Sequence, residues 1–135
     1  MRHQLQNEPR SFNEVVESEM AHISEHGVHQ RGGGGYLSRG LYTPQIESLM
    51  STFRRDQILF LKYEDFRANN AQAMKSVFSF LGLDTPPLIE NLKSNVIPYS
   101  SVISEGMRAR LVKYYKEDVL KLERLLGWDC ADWRD

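Results

Sequence analysis

Arg39 and Tyr42 are the side chains best suited by type and place to hold a small molecule. They stand three residues apart in Tyr36-Leu37-Ser38-Arg39-Gly40-Leu41-Tyr42, directly after the run Gly32-Gly33-Gly34-Gly35. A guanidinium grips a planar or tetrahedral anion through two parallel N–H bonds. A tyrosine packs against a ligand or bonds it through its hydroxyl. Loop residues beside a glycine run often carry binding. The competing reading is a helix-entry packing motif, with Arg39 paired to a carboxylate such as Glu64 or Asp65.

Other groups suggest chemistry less strongly. His22, His26 and His29 have spacings of four and three, which would put them on one helix face and within reach of a zinc ion. Gly27 should end that helix before His29, and no fourth ligand is evident, so they read as exposed histidines. The four glycines are not a phosphate loop, because no Lys-Ser/Thr follows and no clear strand precedes. They read as a flexible lid beside a binding cleft or as a plain solvent loop. Glu64-Asp65 is a possible carboxylate pair, but its place suits a turn and cap. Trp128 and Trp133 are expected to staple the chain end to the core.

The elements that position these residues follow from caps and periodicity. Ser11-Phe12-Asn13-Glu14 is a capping box opening a helix toward His26, with Phe12, Val15, Val16, Met20 and Ile23 as its apolar stripe. Thr43-Pro44 starts a second helix, with Thr43 as its cap and Ile46, Leu49, Met50 and Phe53 buried. Gln57 to Tyr63 reads as a strand, apolar on both faces and suited to the interior of a parallel sheet. Asn70 caps a helix from Ala71 to Leu81 that stops at Gly82. Leu88 to Leu92 is a short helix and Lys93 to Val102 a loop. Ser104 caps a long helix with Met107, Leu111, Tyr114 or Tyr115, Leu122, Leu125 and Leu126 inward, ended by Gly127. One doubly apolar strand among helices needs neighbours, so the expectation is a piece of a larger α/β protein.

Composition sets the frame. The chain has 135 residues, 41 % hydrophobic and 26 % charged, with a net charge of −1. That is a soluble globular balance with one core and no general attraction to nucleic acid. No run approaches a membrane span, and Met1-Arg2-His3-Gln4-Leu5-Gln6 is no secretory signal. The lone Cys130 excludes an internal disulfide and a Cys-based zinc site, which fits a reducing cytoplasm. An orphan strand and exposed apolar helix faces would invite self-association, so a homo-oligomer is a possible assembly.

Four blocks in order resemble the bacterial and heparan-type sulfotransferase family. Ser11-Phe12-Asn13-Glu14-Val15-Val16-Glu17 is similar to its "S-F-E-E-A-I-E" helix. Tyr36 to Glu47 resembles its "Y-L-x-R-G-x-Y-x-x-Q-L-E" stretch near the acceptor. Gln57 to Phe66, continued through Phe80-Leu81-Gly82-Leu83, resembles its late strand, acidic turn and Phe-Leu-Gly-Leu helix end. Arg108 to Gly127, with Trp133 beyond, resembles its terminal helix.

The resemblance implies a P-loop-like α/β fold and a sulfuryl transfer from 3′-phosphoadenosine 5′-phosphosulfate to a hydroxyl or amine. The acceptor would be a small molecule or a saccharide. Such transfer rests on in-line positioning, charge stabilisation and a base for the acceptor's proton. By resemblance His3 is the candidate base, Arg39 and Tyr42 contact the acceptor or sulfonate, and Lys93 and Tyr99 contact the donor. The family's donor-gripping units lie before the helix that Ser11 opens, and ten residues precede Ser11 here. Residues 1–135 are therefore expected to be the C-terminal part of the domain, truncated and mostly helical with one main strand, without the donor-binding part and inactive alone. The alternative is a non-catalytic helical interaction module or a degenerate homologue.

Overall fold

The structure, a computed structural model, describes residues 10–26, 35–86 and 103–134. Six α-helices are seen among them: α1 (Phe12–His26), α2 (Tyr36–Arg39), α3 (Tyr42–Thr52), α4 (Tyr63–Ala68), α5 (Asn70–Phe80) and α6 (Glu105–Leu126). Short 3-10 turns occupy Arg55–Gln57 and Ala131–Trp133. The chain divides into two units, Met1–Ser48 with Ile103–Asp135, and Leu49–Val102. No helix among the described residues is long and apolar enough to cross a membrane.

The first unit is built on α1, α2 and α6. The capping box that opens α1 forms as expected: Glu14 Oε2 accepts from Ser11 N at 2.7 Å, and Ser11 Oγ accepts from Glu14 N at 3.3 Å. The Ser11 hydroxyl, donating to Glu14 Oε2 at 2.7 Å, and then the Ser11 N–H hold the Glu14 carboxyl below its usual range. Val16, Leu37 and Met107 form the buried cluster, with Met20, Ile23, Leu111, Tyr114 and Tyr115 packed on it. Phe12, expected in the apolar stripe, is instead half exposed. Arg110 ties α6 to α1 through an ion pair with Glu17 at 2.9 Å. Ser104 caps α6 and Gly127 ends it with φ 69°, both as the sequence implies.

The second unit carries the main correction. The expected strand Gln57–Tyr63 is not one: Gln57 closes a 3-10 turn, Tyr63 opens α4, and no strand occurs among the described residues. The α/β, P-loop-like fold class is thus overturned for the described residues, which are helical. The two ends of this segment are extended, with φ −124° and ψ 124° at Ile58 and φ −74° and ψ 129° at Lys62. A strand is made by a ladder, and no other described segment pairs with this one. Its local ties are to Arg55, whose Nη1 donates to the Ile58 carbonyl at 2.8 Å and whose guanidinium lies 5.2 Å from the Phe60 ring centroid.

The other elements of this unit follow the sequence closely. Asn69, one residue before the expected cap, accepts from Gln72 N at 3.0 Å to start α5. Gly82 stops it with φ 67°, and Leu83 N donates back to Phe78 O at 2.9 Å. Leu49 and Phe53, expected to be buried, are exposed, as are Leu61, Tyr63, Phe80, Leu81 and Leu83. The expected helix Leu88 to Leu92 and the loop Lys93 to Val102 lie outside the described residues.

Candidate functional site

Arg39 closes α2 and Tyr42 opens α3, so the two sequence-chosen residues lie on one tight elbow with Gly40 and Leu41 between them. Both side chains are exposed. Among the described residues no ion pair or hydrogen bond engages the Arg39 guanidinium. Tyr42 leans on Trp133, ring centroids 5.9 Å apart and planes at 51°. Trp133 therefore reaches this elbow from the chain end. His3, Lys93 and Tyr99 lie outside the described residues, as do His29 and Gly32 to Gly34.

Two carboxylates from distant helices hold the elbow. Glu19 of α1 accepts from Leu37 N at 3.0 Å and Ser38 N at 3.1 Å, filling the start of α2. Asp118 of α6 accepts from Tyr42 N at 2.8 Å and Thr43 N at 3.2 Å, filling the start of α3. Both acids sit where the helix dipole favours negative charge. Thr43 is not the cap that the sequence suggests. It is buried, and its hydroxyl donates to the Asp118 carbonyl at 3.0 Å. Gln45 closes the outer side, its Nε2 donating to the carbonyls of Arg39 at 3.1 Å and Leu41 at 2.7 Å.

Tyr115 completes the support. Its hydroxyl donates to the Leu37 carbonyl at 3.0 Å, and its ring meets Tyr114 edge-on at 4.9 Å. Burial first, then Tyr114, Glu19, Tyr42 and Asp118, push the Tyr115 hydroxyl up to about 12. Burial, Glu19 and Asp118 raise Tyr114 as well. The shift extends the neutral, donating form of Tyr115 into alkaline solution.

Sequence reasoning missed Glu19, Tyr115 as a donor, and Asp118. A signal for the two acids was present. Glu19 falls three and four residues after Val16 and Val15, and Asp118 falls four before Leu122, so both sit on apolar faces. A carboxylate on a core-facing stripe needs hydrogen-bond partners. Which backbone N–H groups would meet it was not readable, since the partners lie 18 to 76 positions away.

The His22 and His26 rings stack at 4.6 Å on exposed α1, and His26 Nδ1 lies 3.3 Å from the His22 carbonyl. No cluster of three metal-ligating side chains occurs among the described residues.

Comparison with known proteins converges on one family. A family model described as the sulfotransferase domain matches residues 1–114. The membrane-associated sulfotransferase kil1 of Dictyostelium discoideum is 26 % identical over 95 residues, which is 70 % of this chain and 20 % of that protein. The crystal structure of a sulfotransferase from Alicyclobacillus acidocaldarius superposes with a TM-score of 0.76 at 24 % identity, over 98 % of this chain and 49 % of that one. The chain thus spans a fifth of the curated relative and about half of the solved one, and the latter likeness is one of fold. With most of its length matched by the family model, the chain belongs to the sulfotransferase domain family.

Proposed function

We propose that this chain is the acceptor-side, C-terminal part of an enzyme that moves a sulfuryl group from 3′-phosphoadenosine 5′-phosphosulfate to a hydroxyl or amine of a small molecule or saccharide. Alone it does not turn over. One observation carries the reading: a solvent-facing guanidinium, Arg39, stands beside Tyr42 on an elbow held by Glu19, Asp118 and Tyr115. A fixed elbow with a free two-pronged cation suits an anionic group, here the sulfonate or an acidic acceptor.

The described residues give the donor nucleotide little to hold. Its phosphates need clustered cations or free helix-start N–H groups. The starts of α1, α2, α3, α5 and α6 are already filled by Glu14 with Ser11, Glu19, Asp118, Asn69 and Ser104, and only the six-residue α4 begins without a side-chain cap among the described helices. His3 as base, with Lys93 and Tyr99 as donor contacts, belongs to the proposal. The exposed apolar side chains of the Leu49–Val102 unit support the reading as part of a larger domain rather than a self-sufficient module. The lone Cys130 suits a reducing cytoplasm.

The test uses the isotope-labelled chain and two probes. Phenyl sulfate should move the Arg39 Nε–Hε and Tyr42 ring resonances, and Arg39→Ala should abolish the effect. The desulfonated nucleotide 3′-phosphoadenosine 5′-phosphate should leave the melting temperature unchanged. Silence of Arg39 and Tyr42 toward phenyl sulfate would overturn the acceptor assignment. A rise in melting temperature with the nucleotide would overturn the claim that this chain lacks donor grip.

A further inference from the structure

We propose that Asp118 is the positioning residue of the elbow, setting where Arg39 and Tyr42 point. This rests on the reading that those two residues meet the acceptor. Asp118 lies 76 positions from Tyr42 and beyond the family-model match, which ends at residue 114, so neither assigns it this role.

The argument is geometric. A helix start leaves N–H groups without intrahelical partners, and the chain just before it is free to swing until they are satisfied. In α3 the partner is not a local side chain but a carboxylate anchored in the 22-residue α6. Asp118 uses three acceptors on two residues: its Oδ2 for Tyr42 N, both carboxylate oxygens for Thr43 N, and its main-chain carbonyl for Thr43 Oγ1. Tyr42 is thus fixed at its own backbone. Arg39 lies three residues back across Gly40 and Leu41, whose N–H groups bond to Leu37 and Ser38 at 3.0 and 3.3 Å. With α3 pinned by Asp118 and α2 by Glu19, the connecting turn has little freedom, and the guanidinium projects from a fixed point.

Three variants separate the outcomes. In Asp118→Ala, amide exchange of Arg39 to Thr43 should quicken about 2- to 30-fold, the equivalent of a lost helix cap, while α5 amides stay unchanged. Phenyl sulfate affinity should fall by a similar factor. Asp118→Asn keeps an oxygen for Tyr42 N and should recover part of both effects, which a generally loosened core would not. Unchanged exchange at Arg39 to Thr43 in Asp118→Ala overturns the positioning role, whether or not the probe binds. Unchanged affinity in Asp118→Ala overturns it too, provided Arg39→Ala abolishes binding. If Arg39→Ala has no effect on binding, the acceptor reading fails instead, and the exchange data still decide the role of Asp118. Should Asp118→Ala not fold, Asp118→Asn carries the same measurements.

Discussion

The Tyr115 hydroxyl stands so close over Gly40 that a β-carbon on that glycine would lie 2.5 Å from it. The backbone of Gly40, φ −79° and ψ −9°, is one that alanine adopts freely. Gly40→Ala should therefore stabilise by entropy alone, and only the clash opposes it. We expect the clash to win, with a loss of about 1–3 kcal/mol in urea unfolding. Tyr115→Phe in the same chain should restore only part, because ring carbons at 2.7 and 2.8 Å remain. Gly106→Ala is the control: nothing stands within 4 Å of its added carbon, so a gain of about 0.4–1 kcal/mol is expected. A Gly40→Ala chain as stable as the parent would contradict the packing.

The contrast between Gly40 and Ser11 explains what was legible in the sequence. Ser11 and Glu14 satisfy each other within one turn, so their types and spacing announce the helix start. Ser104, Gly82 and Gly127 are local signals of the same kind. Arg39 and Tyr42 were found as a pair because they are near in sequence. Gly40 and Thr43 take their roles from residues on α6, and nothing local reveals that. The failed strand has the same cause. Ile58 to Lys62 has strand composition and extended ends, but a strand also needs a partner, which composition cannot supply.

Alkaline titration should report the buried phenol. The Tyr115 hydroxyl moves from an ordinary 10.0 to about 12 in the folded chain. Between those values the unfolded chain binds fewer protons than the folded one, so stability falls as pH rises. Its contribution is complete below pH 10 and is lost as pH climbs through 12. Melting temperature should drop across this window, with tyrosinate absorbance of Tyr115 emerging late. Tyr115→Phe should flatten the drop without removing it, because Tyr114 is also raised. A Tyr115→Phe chain that declines as steeply as the parent would refute the assignment.

The last prediction concerns the chain end that supports Tyr42. Glu123 accepts from Cys130 N at 3.0 Å and pairs with Arg134 at 2.9 Å, bracketing the turn that presents Trp133. The Arg134 and Glu123 side chains are 30 % and 19 % exposed, between a surface pair and a buried one, so Arg134→Ala should cost about 1 kcal/mol. Glu123→Ala should cost more, because it also removes the carboxylate that accepts from the Cys130 N–H. Cys130 is fully buried, and its thiol reports on this end without a global unfolding signal. Arg134→Ala should quicken its modification by a thiol reagent, and added salt should narrow the difference from the parent by screening the pair. Loosening there also frees Trp133 from the Tyr42 ring, so Tyr42 resonances should shift in Arg134→Ala before any ligand is added. If thiol reactivity and Tyr42 both stay unchanged, the chain end is not what steadies the elbow from that side.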